Sequence, residues 1–142
     1  MRLSEQAKTY IGVPYRHRGR KSSGLDCAGL PWRCYADLGH ILPDIRNYGR
    51  EPHKDGLMQA CIDALGQPVW TGKGCRIADL QIDDVAVLAF TLEPHHLGVV
   101  GSGEFGLSLI HADGTLGVSK VVIQRFTPER LKQVVAIFRK PV

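Results

Sequence analysis

The residue with the clearest capacity for chemistry is Cys27, which follows Asp26 in the stretch GLDCAGLPWRCYADLG. Asp26 stands where a helix N-cap would, and Leu30, Cys34 and Leu38 fall on one helical face before Gly39, a C-cap residue. Cys27 therefore lies in the first turn of the expected helix, where free backbone N–H groups and the positive end of the macrodipole favour thiolate. Such an environment lowers a thiol pKa from about 8.5 into the range of about 3.5–7.5. Cys34, two turns on, has no such support, and Cys61 in LMQACIDAL reads as core.

A thiolate nucleophile needs a proton acceptor, normally an imidazole, and the imidazole needs a third group to fix its tautomer and orientation. Of six histidines, His96 heads the strand-like HLGVVG and His111 lies inside LSLIHADG. Two neighbouring antiparallel strands could hold these rings side by side, which gives a Cys–His–His relay. His95 is the rival base. Adjacent side chains of an extended strand point to opposite faces, so only one of His95 and His96 can look at the cysteine. His17, His40, His53 and His95 read as structural or surface residues.

The elements that must position these groups follow from periodicity. LSEQAKTYIG carries Leu3, Ala7, Tyr10 and Ile11 at helical spacing, with Ser4 as a cap and Gly12 and Pro14 as a stop. A Gly-, Arg- and Ser-rich loop leads to the cysteine helix, in which Pro31 is awkward and implies a shifted or irregular start. A turn-rich stretch from His40 to Gly56 precedes a second core-facing helix, with Leu57, Ala60, Cys61, Ala64 and Leu65 on one side. Then DVAVLAF, HLGVVGS, LSLIHAD, KVVIQRF and VVAIFRK form short apolar or alternating runs between turn residues, the pattern of an antiparallel sheet. Helices first and strands later give an α+β fold, read as one domain over residues 1–142.

Composition narrows the function classes. A hydrophobic content of 44% and a charged content of 23% match a folded globular chain. The longest apolar run, VAVLAF, is far short of the roughly 18 residues of a membrane-spanning helix. The N-terminal MRLSEQAKTYIGV lacks the apolar stretch of a signal peptide, so synthesis in the cytoplasm is the expectation. The net charge of +4, with Arg16, Arg18, Arg20 and Lys21 close together, reads as a solvated face rather than a nucleic-acid site, because no aromatic residues interleave it. The four cysteines form no C-x-x-C pair, so no structural zinc is expected, and no cofactor is implied.

Taken in order, YIGVPYRHRG, GLDCAGLPWRCYADLG, LQIDDVAVLAF, HHLGVVGSG and LIHADG resemble the NlpC/P60 family of cysteine peptidases, above all its small phage-tail-associated members. The resemblance implies a papain-like α+β fold, with the nucleophile at a helix start packed on an antiparallel sheet. It implies hydrolysis of amide bonds in peptidoglycan stem peptides, commonly between D-glutamate and a diamino acid. Cys27 matches the nucleophile of a D-C-x-G-L motif, His96 the base of H-x-G-[IV], and His111 the third polar residue. Tyr15 matches a tyrosine beside the nucleophile, and Asp26 and Ala28 flank the cysteine at the substrate site. Relatives mostly carry serine at the place of Ala28, tied to the substrate's amine end, and Gly-Gly where RHRG stands at Arg16 to Gly19. The expected partners are a peptidoglycan peptide and phage tail proteins, with delivery to the wall by a tail or similar particle. A tail-tip structural role, and an acyltransferase or amidase using the same trio, are the alternatives.

Overall fold

The structure is a computed structural model that describes residues 1–44, 56–90 and 94–142. In chain order these hold α1 (Leu3–Lys8), β1 (Arg20–Lys21), β2 (Gly24–Leu25), α2 (Gly29–Asp37), α3 (Leu57–Leu65), β3 (Trp70–Thr71), β4 (Val85–Leu88), β5 (His96–Gly103), β6 (Gly106–Asp113), β7 (Lys120–Arg125), α4 (Pro128–Gln133) and β8 (Val134–Phe138). The strands β3 to β8 form one antiparallel sheet in the order β3-β8-β4-β5-β6-β7, and β1 and β2 make a separate hairpin. This is the α+β architecture expected from the sequence. Most of the turn-rich stretch read between His40 and Gly56 lies outside the described residues.

The sheet is covered on both faces. Val85, Val87, Leu97, Val99, Ile110, Ala112, Val121, Ala136 and Phe138 pack with Leu3 and Ala7 of α1, Leu30 and Tyr35 of α2, and Cys61 and Leu65 of α3. Residues of the opposite parity, Ala86, Leu88, Val100, Leu109 and Ile137, join Cys75, Leu80 and Phe126 in a second cluster, and Val134 joins them because the β4–β8 register shifts between Val87 and Leu88. Burial on both faces explains why VAVL is continuously apolar rather than alternating. Each fully buried Leu or Ile here contributes roughly 1.5–3 kcal/mol relative to exposure.

The helix ends depart from the sequence reading in instructive ways. Ser4 is not the cap of α1: the helix begins one residue earlier, at Leu3, and Ser4 lies inside it, buried. The Ser4 N–H donates instead to Asp83 Oδ1 at 2.9 Å, while Arg2 Nε pairs with Asp83 Oδ2 at 2.8 Å. The capping carboxylate thus comes from the turn before β4. The start of α2 is shifted, as Pro31 implies: the helix is regular from Gly29, which places Pro31 in the first turn, where a missing N–H costs least. Its C-terminus closes as expected, with Gly39 at φ 91°. Gly39 N–H donates to Ala36 O and His40 N–H to Tyr35 O, the two bonds of a Schellman motif. No helix among the described residues is long and apolar enough to cross a membrane.

Candidate active site

The turn before α2 is built around Asp26. Its Oδ1 accepts from the Gly29 N–H at 2.7 Å and from Arg20 at 2.8 Å, its Oδ2 accepts from the Arg18 N–H at 2.9 Å, and its carbonyl accepts from the Leu30 N–H. Asp26 therefore does the work of the expected N-cap although the regular helix starts three residues later. The loop carrying Gly19 presses against this turn so closely that a Cβ on Gly29 would lie 1.9 Å from Gly19 O. Arg20 also clasps Asp44 through Nε at 2.8 Å and a second nitrogen at 3.0 Å, so a buried guanidinium bridges two carboxylates. The contacts of the Asp26 side chain described here are internal, and what they fix is the position of the next residue, Cys27.

Cys27 arrives from the helix layer and places its sulfur against β5. The pairing of β5 with β6 runs from Val99–Ile110 onward. Upstream of it, the Cys27 thiol lies 4.0 Å from the His95 carbonyl oxygen, with the Leu97 and Ala28 N–H groups near enough to favour its thiolate form. The sulfur thus rests on the backbone either side of His96. Among the described residues its hydrogen-bond acceptor is that carbonyl rather than the His96 ring.

Here the sequence expectation of a depressed thiol pKa is overturned. Burial, reinforced by the neighbouring Asp26 charge, pushes the Cys27 thiol up to about 12, against the lowering pull of the Leu97 and Ala28 N–H groups and of Arg20. A helix start supplies partial charges, but removal from water costs the thiolate more than they return. The resting group is a neutral thiol.

His96 and His111 come together as the strand pattern requires. Continuing the β5–β6 register puts the two rings on the same face in diagonal positions, within reach of aromatic side chains. His96 Nε2 and His111 Nδ1 are 2.7 Å apart, with the rings edge to face at 4.9 Å between centroids. Burial, then the charges of His111, Arg130 and His95, hold His96 down to about 3 against the raising effect of Asp113. His111 is lowered as well, first by burial, against a raising hydrogen bond from Gln124. His95 lies ahead of the strand with its ring against Phe90 at 4.5 Å, and the Phe90 ring also touches His96 at 5.8 Å. It is His96, not His95, that joins His111. Tyr15 packs its ring over Gly114 and bridges to Leu25, two residues before Cys27.

Solved structures give the same arrangement of elements. The chain superposes on the NlpC/P60 domain of the peptidoglycan hydrolase SagA with a TM-score of 0.57 and 17% identity, over 96% of this chain and 95% of that one. An NlpC/P60 family protein from Bacillus cereus matches with a TM-score of 0.63 and 21% identity over 99% of this chain, which spans 39% of the longer Bacillus protein. The chain has the NlpC/P60 fold. An N-acetylmuramoyl-L-alanine amidase from Bacteroides uniformis matches with a TM-score of 0.57 and 13% identity, over 99% of both chains. No protein-family model matches the sequence. No curated protein matches it either.

Within this NlpC/P60 fold, the glycine two residues after His96 has a packing reason. A Cβ on Gly98 would meet Leu109 Cδ1 at 2.3 Å and the Ile110 carbonyl oxygen at 3.1 Å. Gly98→Ala should therefore cost about 1–3 kcal/mol, the usual range for overpacking, measured as a lower denaturation midpoint. An unchanged midpoint would show that β5 and β6 can separate freely at this point.

The buried groups also set a pH window for stability. His96 is protonated near pH 6.5 when unfolded and near 3 when folded, so its stabilising contribution is full above about 6.5 and lost as pH falls toward 3. The thiols act in the opposite direction. Cys27 and Cys61 are pushed up to about 12 and Cys75 to about 11, in each case first by burial, and Cys34 is raised too. Their contribution is full below the unfolded value of about 9 and lost as pH rises through 11 to 12. Melting temperature should hold a plateau between roughly pH 6.5 and 8.5 and fall on both sides. A melting temperature that stays level from pH 9 to 11 would contradict the burial of these thiols.

Proposed function

We propose that this protein is a cysteine peptidase that hydrolyses amide bonds in bacterial cell-wall stem peptides, with Cys27 as nucleophile, His96 as general base and His111 orienting it. The observation that carries the reading is a helix-start thiol resting on the backbone either side of a histidine whose ring is bonded to a second histidine. In the resting site both thiol and imidazole are neutral, so proton transfer accompanies attack. The Cys27 sulfur bonds to the substrate carbonyl carbon as its proton passes to His96 Nδ1, the ring nitrogen not engaged by His111. The Cys27 N–H and a neighbouring donor hold the oxyanion. His96 returns the proton to the leaving amine as the C–N bond breaks. Water, deprotonated by His96, then attacks the thioester carbon, the C–S bond breaks, and the sulfur regains a proton.

The substrate class is supported by the shared fold with a peptidoglycan hydrolase, and the D-glutamyl–diamino acid bond by the sequence resemblance. A second reading, cleavage of the bond to N-acetylmuramic acid, is favoured by the likeness to a muramoyl-alanine amidase. Ala28, in place of the usual serine, points to an altered preference at the substrate's amine end. Delivery by a phage tail is part of the proposal, and tail genes beside the coding sequence would support it. Mass spectrometry of muropeptides after incubation with wild-type protein and with Cys27→Ala tests the activity and identifies the bond. Equal digestion by the two proteins would refute the peptidase.

A further inference from the structure

A histidine pair does not by itself define a direction for proton transfer. Each neutral imidazole has one N–H and one bare nitrogen, so His96 Nε2 and His111 Nδ1 at 2.7 Å satisfy each other with the hydrogen on either side. Only one of the two arrangements leaves His96 with a bare Nδ1, the nitrogen a general base needs.

Beyond His111 the chain of contacts continues. His111 Nε2 lies 2.7 Å from Gln124 Oε1 on β7, and the same oxygen accepts from Arg130 of α4 at 2.9 Å. Arg130 is itself held in place. Its second terminal nitrogen donates to Gln133 Oε1 at 3.2 Å, its backbone N–H is capped by Thr127 Oγ1, and its guanidinium sits 6.0 Å from the centre of the Phe90 ring.

We infer that Gln124 and Arg130 are positioning residues that fix the tautomers of both histidines, leaving the bare nitrogen of His96 at Nδ1. A guanidinium has donors and no acceptor, so the amide atom facing Arg130 must be oxygen, and the amide cannot flip without setting donor against donor. A carbonyl oxygen only accepts, so His111 Nε2 must carry hydrogen. Neutral His111 then has a bare Nδ1, which must accept from His96 Nε2–H. Neutral His96 is left with a bare Nδ1. Every step follows from the inability of Arg130 to accept and of the amide oxygen to donate. Among the described residues, the charges that act on the two rings come from Asp113 of β6, Arg130 of α4 and His95 ahead of β5. The catalytic consequence rests on the peptidase reading above, whereas the tautomers do not.

The test is nitrogen-15 NMR of the histidine side chains in the full chain at pH 7.5, together with muropeptide turnover. In the wild type both His96 and His111 should carry hydrogen on Nε2. Gln124→Leu should move His111 into a mixture, bring out an Nδ1–H form of His96 and lower kcat by roughly 10²-fold with little change in KM, because the tautomer error acts on proton transfer. Gln124→Glu keeps an acceptor and should keep both tautomers, with kcat within about tenfold of wild type. Arg130→Met should give a partial form of the Gln124→Leu spectrum. An Nδ1–H on either ring in the wild type, or unchanged tautomers in Gln124→Leu, would overturn the inference. The wild-type spectrum gives an answer even if a variant fails to fold. Correct tautomers without Cys27-dependent turnover would sink the peptidase reading and leave the tautomer assignment standing.

Discussion

Replacing Cys27 with alanine should lower kcat/KM on muropeptides by at least roughly 10⁴-fold while the protein stays folded, and His96→Ala should cost about as much. The reason lies in the resting state. With the thiol raised to about 12 and the imidazole lowered to about 3, neither group is charged before substrate binds, so each depends on the other at the moment of attack. Groups that act as one unit lose their effect together, so the double variant should be hardly slower than either single one. Cys27→Ala also removes a desolvated thiol and only one heavy atom, which makes it the cleaner folding control. His96→Ala leaves His111 Nδ1 without its partner in a buried place. Turnover followed by chromatography of muropeptides, with far-UV circular dichroism alongside, checks both variants. Additive losses in the double variant would mean that Cys27 and His96 do not share a step.

Asp26→Ala should give the largest loss of stability, about 3–5 kcal/mol, the cost of removing one partner from a buried ion pair. Arg20 and Asp26 are 5% and 2% exposed at their side chains, and their N–O distance is 2.8 Å. Removing the carboxylate leaves the N–H groups of Arg18 and Gly29 without that acceptor and takes from the buried guanidinium one of its carboxylate partners, Asp44 being another. It also frees the turn that aims Cys27 at β5, so residual activity should fall even under conditions where the variant remains folded. Asp26→Asn keeps an acceptor for the N–H groups and should fall between wild type and alanine. Urea denaturation reads the difference. A midpoint for Asp26→Ala within 1 kcal/mol of wild type would show that the turn is held by other contacts.

Much of this site is local, and that part was legible. The face formed by Leu30, Cys34 and Leu38, the acceptor Asp26 and the terminating Gly39 specify a helix around the cysteine because all act within a few residues of one another. The alternation about His96 and His111 places both rings on one side of adjacent strands for the same reason. One local signal went unread: Thr127 followed by Pro128 and Glu129 marks the start of α4, with the Thr127 hydroxyl capping Arg130. That helix brings Arg130 to Gln124, so the omission hid two residues of the relay's far end.

The sequence by itself determined α1, the cysteine helix, α3 and the main strands, the place of Cys27 in the turn that leads into its helix, and the opposite orientation of His95 and His96, since hydrogen-bonded turns and side-chain periodicity are short-range. Tertiary structure alone decided the rest. The carboxylate beside the start of α1 comes from Asp83, β8 inserts between β3 and β4, and Gln124 meets His111 only through strand pairing. Most consequential is the charge state of the site. A helix terminus calls for a thiolate, but burial under residues distant in sequence keeps the thiol protonated, because desolvation depends on everything packed around an atom and not on its neighbours along the chain.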